Sequence, residues 1–190
     1  MNIRNTFFKY RSFTPIPLAL LIIFFASPNH SFLSWGIALL FLGESIRIWA
    51  VRYAGGATRT TKVGAPFLCT SGPYSRVRNP LYIGNMILYT AFVFIAGNEN
   101  LWVMVSVTWL FFIVQYSLIV SLEEESLYKL FGKEYIKYKQ SVPSLLPRVR
   151  PWKTEKPISP KPIFDTLKTE KRTLQNIVFV LLLVFIRNQI

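Results

Sequence analysis

From Leu101 to Leu122 the chain carries no charged side chain. A helix needs about 20 such residues to cross the hydrocarbon core of a bilayer. Backbone in hydrocarbon must satisfy its own hydrogen bonds, so such a segment is helical. Leu81 to Gly97 is a second candidate span, and Phe32 to Tyr53 a third, interrupted by Glu44 and Arg47. Phe13 to Ala26 and Leu174 to Ile186 are shorter. At ~1.5 Å per residue these two barely cross, so each is read as a span or an interfacial segment. The residues are 52% hydrophobic and the apolar ones fall in blocks, which excludes an ordinary soluble domain. The expectation is an all-α, polytopic integral membrane protein with about five transmembrane helices.

Arg4, Lys9 and Arg11 before an apolar run resemble the start of a secretory signal. The run ends in Phe25-Ala26-Ser27-Pro28, which lacks a small-x-small cleavage site and puts proline where cleavage would fall. The segment is therefore read as a retained first helix.

The net charge is +13 and its distribution orients the chain. Arg4, Lys9 and Arg11 precede the first helix; Arg52, Arg59, Lys62, Arg76 and Arg78 lie between the second and third; Lys129 to Arg172 is basic after the fourth. The loops 27–31 and 98–100 hold only Glu99. By the positive-inside rule the N-terminus is cytoplasmic and the C-terminus lies outside. Beside membrane spans, anionic lipid headgroups rather than nucleic acid are the expected counter-charge.

One cysteine, Cys69, and one histidine, His30, make a thiolate or zinc site and a serine–histidine triad improbable, so no metal is expected. The chain reads as a single domain, 1–190, with a motif core at 60–147. A Pro/Lys-rich, extended linker follows at 148–172, then a final helix at 173–190 that is transmembrane or interfacial.

Two polar clusters sit at the edges of apolar runs. The first runs from Ser71-Gly72-Pro73-Tyr74 through Arg78-Asn79-Pro80-Leu81-Tyr82 to Gly84. The second is Glu123-Glu124-Glu125, followed by Leu127, Phe131-Gly132, Tyr135, Tyr138 and Val142-Pro143. Arginine and adjacent carboxylates beside hydrocarbon are costly unless they bind something, so they mark the site of a membrane enzyme. Pro80 suits the first turn of a helix. If that helix starts near Arg78, then Arg78, Tyr82, Asn85 and Tyr89 share one face. Glu124, Leu127, Phe131, Tyr135 and Tyr138 share another, while Lys129, Lys133 and Lys137 form a solvated stripe. This pattern suggests a cytoplasmic amphipathic helix on the membrane surface. Glu44 and Arg47, three apart, suit a pair with each other.

These clusters resemble the signature of the isoprenylcysteine carboxyl methyltransferase and phospholipid methyltransferase superfamily. The pattern Gly-x-Tyr, Arg-His-Pro-x-Tyr-x-Gly, Glu-Glu-x-x-Leu, Phe-Gly-x-x-Tyr-x-x-Tyr, Val-Pro is met at Gly72 and Tyr74; at Arg78, Pro80, Tyr82 and Gly84; at Glu123, Glu124 and Leu127; and at Phe131, Gly132, Tyr135, Tyr138, Val142 and Pro143. The family's histidine is Asn79 here. Asparagine hydrogen-bonds but does not titrate near neutral pH.

The resemblance implies an S-adenosylmethionine-dependent methyltransferase with its pocket on the cytoplasmic side. It implies a cofactor site of Leu68, Cys69, Tyr74, Arg78, Asn79, Pro80, Leu81, Tyr82, Glu123 and Glu124, with Arg78, Asn79 and Glu124 as the catalytic set. Arg78 suits the cofactor carboxylate, Glu123 or Glu124 its ammonium or ribose, and Tyr74 and Tyr82 the adenine or sulfonium. Methyl transfer mostly needs positioning, and an anionic acceptor needs no base. The expected acceptor is thus a lipophilic small-molecule or lipidated carboxylate such as an isoprenylated cysteine, with phospholipid or isoprenoid as alternatives. A membrane NADPH-dependent reductase and a non-catalytic lipid-binding protein are competing readings. The acidic triplet argues against the 2′-phosphate of NADPH, and lipid binding alone gives no reason to place Arg78 with the carboxylates. Membrane lipids are the other expected partners. The oligomeric state is open.

Overall fold

The computed structural model describes residues 3–27, 29, 31–56, 63–154 and 156–189. The readings on His30, Arg59 and Lys62, and the first positions of the 60–147 core, lie outside the described residues. The described residues form six α-helices and no strand: α1 (Ile3–Lys9), α2 (Ile16–Phe24), α3 (Leu33–Ala54), α4 (Pro80–Ala96), α5 (Leu101–Ser141) and α6 (Ile163–Arg187), with a 3₁₀ turn at Gly72–Ser75 before α4.

The centre of the fold is α4, which touches α2, α3, α5 and α6. Its largest partner is α3, and small residues make that crossing close. A Cβ on Gly43 would lie 3.0 Å from the Gly84 carbonyl oxygen, and one on Gly36 would lie 2.7 Å from Ile95 Cγ1. Without a hydrophobic force between helices in lipid, such small-residue contacts are what allow backbones to pack.

Among the described residues, α3 and α5 are the helices long and apolar enough to cross a membrane alone. At 17 residues, α4 is apolar but shorter. The first apolar run yields only nine helical residues in α2, about half the hydrocarbon thickness or less. Outward-facing Trp35, Phe41, Trp102, Leu110, Phe179 and Phe185 are all more than half exposed. Apolar area so extensive on α3, α5 and α6 suits lipid rather than water.

Two expectations change with the structure. First, α5 runs far past its apolar segment and turns at Gly132, whose φ of 48° and ψ of −120° are open mainly to glycine. Beyond the kink, Tyr135 and Tyr138 are each 2% exposed and pack with Val142 against Leu68, Leu127, Phe131 and Trp152. The aromatic face expected on a membrane surface is thus covered by protein, while Lys129, Lys133 and Lys137 stay exposed. Second, α6 starts at Ile163, inside the stretch read as linker. The extended residues before it are pinned by backbone bonds: Arg148 N–H to the Arg76 carbonyl at 2.9 Å, Trp152 N–H to Ser75 at 2.8 Å, and Lys161 N–H to Arg52 at 2.7 Å.

Candidate active site

The segment entering α4 is shaped by the signature residues. Gly72 has φ of 59°, and a Cβ there would lie 2.3 Å from the Tyr53 ring, so only glycine suits this turn against α3. Tyr74 follows in the 3₁₀ turn, its carbonyl accepting the Tyr138 hydroxyl at 2.7 Å. Arg78 and Asn79 are not helical, because α4 begins at Pro80. They run along the segment after α5: Arg78 N–H donates to the Pro143 carbonyl at 2.9 Å, and Asn79 N–H to the Ser144 carbonyl at 3.2 Å. The expectation that Arg78 shares a helical face with Tyr82, Asn85 and Tyr89 therefore fails at Arg78 alone. The other three do face α5: Tyr82 stacks on Tyr116, Asn85 bonds the Tyr116 hydroxyl, and Tyr89 meets Phe112 edge-on.

At the end of the apolar run of α5, the carboxylates divide by direction. Glu124 accepts from Arg78 Nη2 at 2.6 Å and pairs with Lys139 Nζ at 2.7 Å. Glu123 accepts the Tyr82 hydroxyl at 2.8 Å. Glu125 turns outward to Lys129 at 2.8 Å and to Arg4 of α1 at 3.3 Å. The Arg78 guanidinium also donates to the carbonyls of Lys139 and Val142, closing the end of α5. The Asn79 amide donates to the Ser144 carbonyl at 3.1 Å and hydroxyl at 2.9 Å.

One cavity of about 180 Å³ brings together all ten candidate residues: Leu68, Cys69, Tyr74, Arg78, Asn79, Pro80, Leu81, Tyr82, Glu123 and Glu124. Phe8, Arg11, Ala54, Gly64, Ala65, Phe67, Leu127, Tyr135 and Tyr138 complete the wall. The signature contains Leu127, Tyr135 and Tyr138, so their place here was within reach of the sequence. Phe8 and Arg11 come from the N-terminal segment, where Arg11 reads only as an orienting charge. Arg11 lies over the Phe8 ring at 4.1 Å and donates to the Phe8 carbonyl at 3.0 Å.

Two groups on the loop side of the cavity, Cys69 and Tyr74, are shielded from water. Burial pushes the Cys69 thiol up to about 12, opposed by a hydrogen bond from the Ser71 backbone. Burial also raises the Tyr74 phenol well above its usual range, with Cys69 adding to the shift. Both groups are neutral at physiological pH. Two buried donors, Arg78 Nε and the Tyr135 hydroxyl, have no well-formed hydrogen bond among the described residues. The cavity wall sets the Arg78 guanidinium beside two carboxylates, with apolar surface from Phe8, Leu68, Leu81 and Leu127. A ligand with a carboxylate, cationic and hydroxyl groups and a flat apolar ring fits this donor set.

A family model for phospholipid methyltransferases matches residues 32–134, from α3 to just past the kink of α5. The chain is 31% identical over 135 residues to protein-S-isoprenylcysteine O-methyltransferase B of Arabidopsis thaliana, covering 67% of this chain and 66% of that protein. It is also 31% identical over 120 residues to the cobalt-zinc-cadmium resistance protein CzcN of Cupriavidus metallidurans, covering 63% of this chain and 50% of that one. The aligned segment thus spans just under two thirds of the first relative and half of the second. No solved structure matches the chain.

Proposed function

The chain belongs to the phospholipid methyltransferase family, and on that premise we propose that it is a membrane methyltransferase that takes S-adenosylmethionine into the cavity between α4 and the end of α5. The observation that carries this reading is the convergence of Arg78, Glu123, Glu124, Tyr74 and Tyr82 on that one cavity. Arg78 would hold the cofactor carboxylate, Glu124 the ammonium, and Glu123 the ribose hydroxyls. Leu68, Cys69, Pro80 and Leu81 would border the adenine. When bound, the cofactor supplies a methyl group activated by its sulfonium.

The residues of the chain orient the reactants and exclude water. Asn79 holds the segment at Ser144 in place and offers no titratable group near neutral pH. An acceptor that arrives as an anion needs no base, and the loss of opposite charges in the transition state is favoured in a dry site. The reading is therefore methylation of a lipophilic carboxylate, such as an isoprenylated cysteine, in preference to an amine. We further propose that the cavity faces the cytoplasm, that the shorter helices complete about five membrane crossings within one domain, and that the basic segments rest on anionic lipid.

The test is methyl transfer by the purified, liposome-reconstituted chain. S-Adenosylmethionine labelled in the methyl group is supplied with farnesylated cysteine or with phosphatidylethanolamine. Alkali-labile label in the cysteine derivative supports the carboxylate reading. Alkali-stable label in the phospholipid headgroup contradicts it.

A further inference from the structure

A polar chain crosses the helix bundle and ends in the cavity. Arg47 of α3 is 6% exposed and Glu170 of α6 is 1% exposed. A guanidinium beside hydrocarbon is tolerated when its charge is paired. Nη2 donates to Glu170 and to Thr173 at 3.1 Å, Nη1 donates to Asn85 Oδ1, and Nε faces Glu44 Oε2 at 3.4 Å as an ion pair without a well-formed hydrogen bond. Gly84 makes room for the stem, since a Cβ there would lie 2.6 Å from Arg47 Cγ.

The consequence for the cavity follows from the asymmetry of the Asn85 amide. With Oδ1 taken by a cation that can only donate, the other end must be the donor. It is: Asn85 Nδ2 donates to the Tyr116 hydroxyl at 2.9 Å. That fixes the Tyr116 ring, which stacks on Tyr82 with centroids 4.2 Å apart and planes 21° apart. Tyr82 in turn donates to Glu123 Oε2 at 2.8 Å on the cavity wall. Each hydrogen bond sets the next donor or acceptor in line, from Arg47 to Asn85 to Tyr116, and the ring stack carries the line to Tyr82.

We propose that Arg47 and Glu170 are positioning residues for the cavity: they fix Asn85 and the Tyr116–Tyr82 stack, and so set the Glu123 carboxylate. α6 lies beyond the stretch that the family model matches, and it is on this view a working part of the site. The inference rests on the reading of the cavity as the cofactor site.

The experiment uses the full chain in lipid nanodiscs with two readouts. One is binding of tritiated S-adenosylmethionine; the other is the ¹⁹F resonance of 3-fluorotyrosine placed at position 82. Glu170→Gln keeps shape and hydrogen bonding, and Tyr116→Phe removes the acceptor for Asn85. Each should weaken binding about three- to tenfold, and combination with Tyr82→Phe should add little, because coupled residues are not additive. Each should also move the ¹⁹F resonance in the direction that Glu123→Gln moves it. Folded variants with unchanged affinity and resonance would overturn the proposal, as would effects that simply multiply. If Glu170→Gln does not fold, Thr173→Val, which removes another α6 partner of Arg47, decides in its place by the same two readouts. If the wild-type chain binds no S-adenosylmethionine, the cofactor reading fails, while the ¹⁹F shift still shows whether α6 is coupled to Glu123.

Discussion

Arg78 Nη2 lies 2.6 Å from Glu124 Oε1, and the same guanidinium donates to the Lys139 and Val142 carbonyls where α5 ends. One side chain thus closes a long helix and aims a carboxylate into the cavity. The fork of guanidinium donors is needed for both, and an ammonium cannot replace it.

Loss of either partner should therefore weaken binding, with different effects on stability. Arg78→Ala and Glu124→Gln each remove a charge-assisted bond in a partly buried site, which costs roughly 2–3 kcal/mol, or about 30- to 150-fold in affinity for S-adenosylmethionine. Arg78→Ala should also lower the melting temperature, because it frees the end of α5, and Arg78→Lys should not restore it. Calorimetric titration and thermal melting of both variants check this. Wild-type affinity in both would show that the pair lies outside the binding site.

Gly84 is held by its neighbours rather than by its backbone angles. A methyl group there would meet Arg47 Cγ at 2.6 Å and the Gly43 carbonyl at 3.0 Å. Backbone does not yield, so Gly84→Ala should destabilise the bundle by about 1–3 kcal/mol. The readout is the unfolding midpoint in mixed micelles. An unchanged midpoint would mean that α3 and α4 do not cross this closely.

Cys69 reports on the cavity through its chemistry. Its pKa lies near 12 because burial disfavours the thiolate, against about 8.5 for a free thiol. Only the thiolate reacts, so the rate with a maleimide should climb about tenfold per pH unit from pH 7 to pH 10 without levelling. S-Adenosylmethionine should slow the reaction, since Cys69 lines the cavity. A plateau near pH 9 would show that the thiol is not buried in this way.

The proposed sidedness rests on the basic loops. In a Cys69→Ser background, cysteines introduced at Glu99 and Lys133 should differ in intact cells. The impermeant maleimide should reach position 99 and not 133. The opposite pattern would invert the proposed topology.

Much of the site was legible because a charge at the edge of an apolar run is costly and so stands out. Arg78, Glu123, Glu124 and the signature tyrosines announce themselves this way, and Glu44–Arg47 could be paired from helical spacing. Glu170 was not legible. It lies among Lys168, Lys171 and Arg172, a pattern that reads as a solvated segment, and only the packing of α6 against α3 shows that it is buried. Phe8 and Arg11 are more than 100 positions from the α5 carboxylates, and nothing local signals their approach. The pinning of residues 148–162 was hidden for a similar reason. Prolines and lysines suggest an extended chain, whereas the backbone bonds to Arg76, Ser75 and Arg52 are long-range.

The most direct measurement is titration of the detergent-purified chain with S-adenosylmethionine and, separately, with NADPH. Both ligands carry an adenine ring, and they differ in the groups that Arg78, Glu123 and Glu124 would meet. The expected result is saturable one-to-one binding of S-adenosylmethionine, competed by S-adenosylhomocysteine, with no heat from NADPH. Saturable binding of NADPH with none of S-adenosylmethionine would contradict the assignment of the cavity.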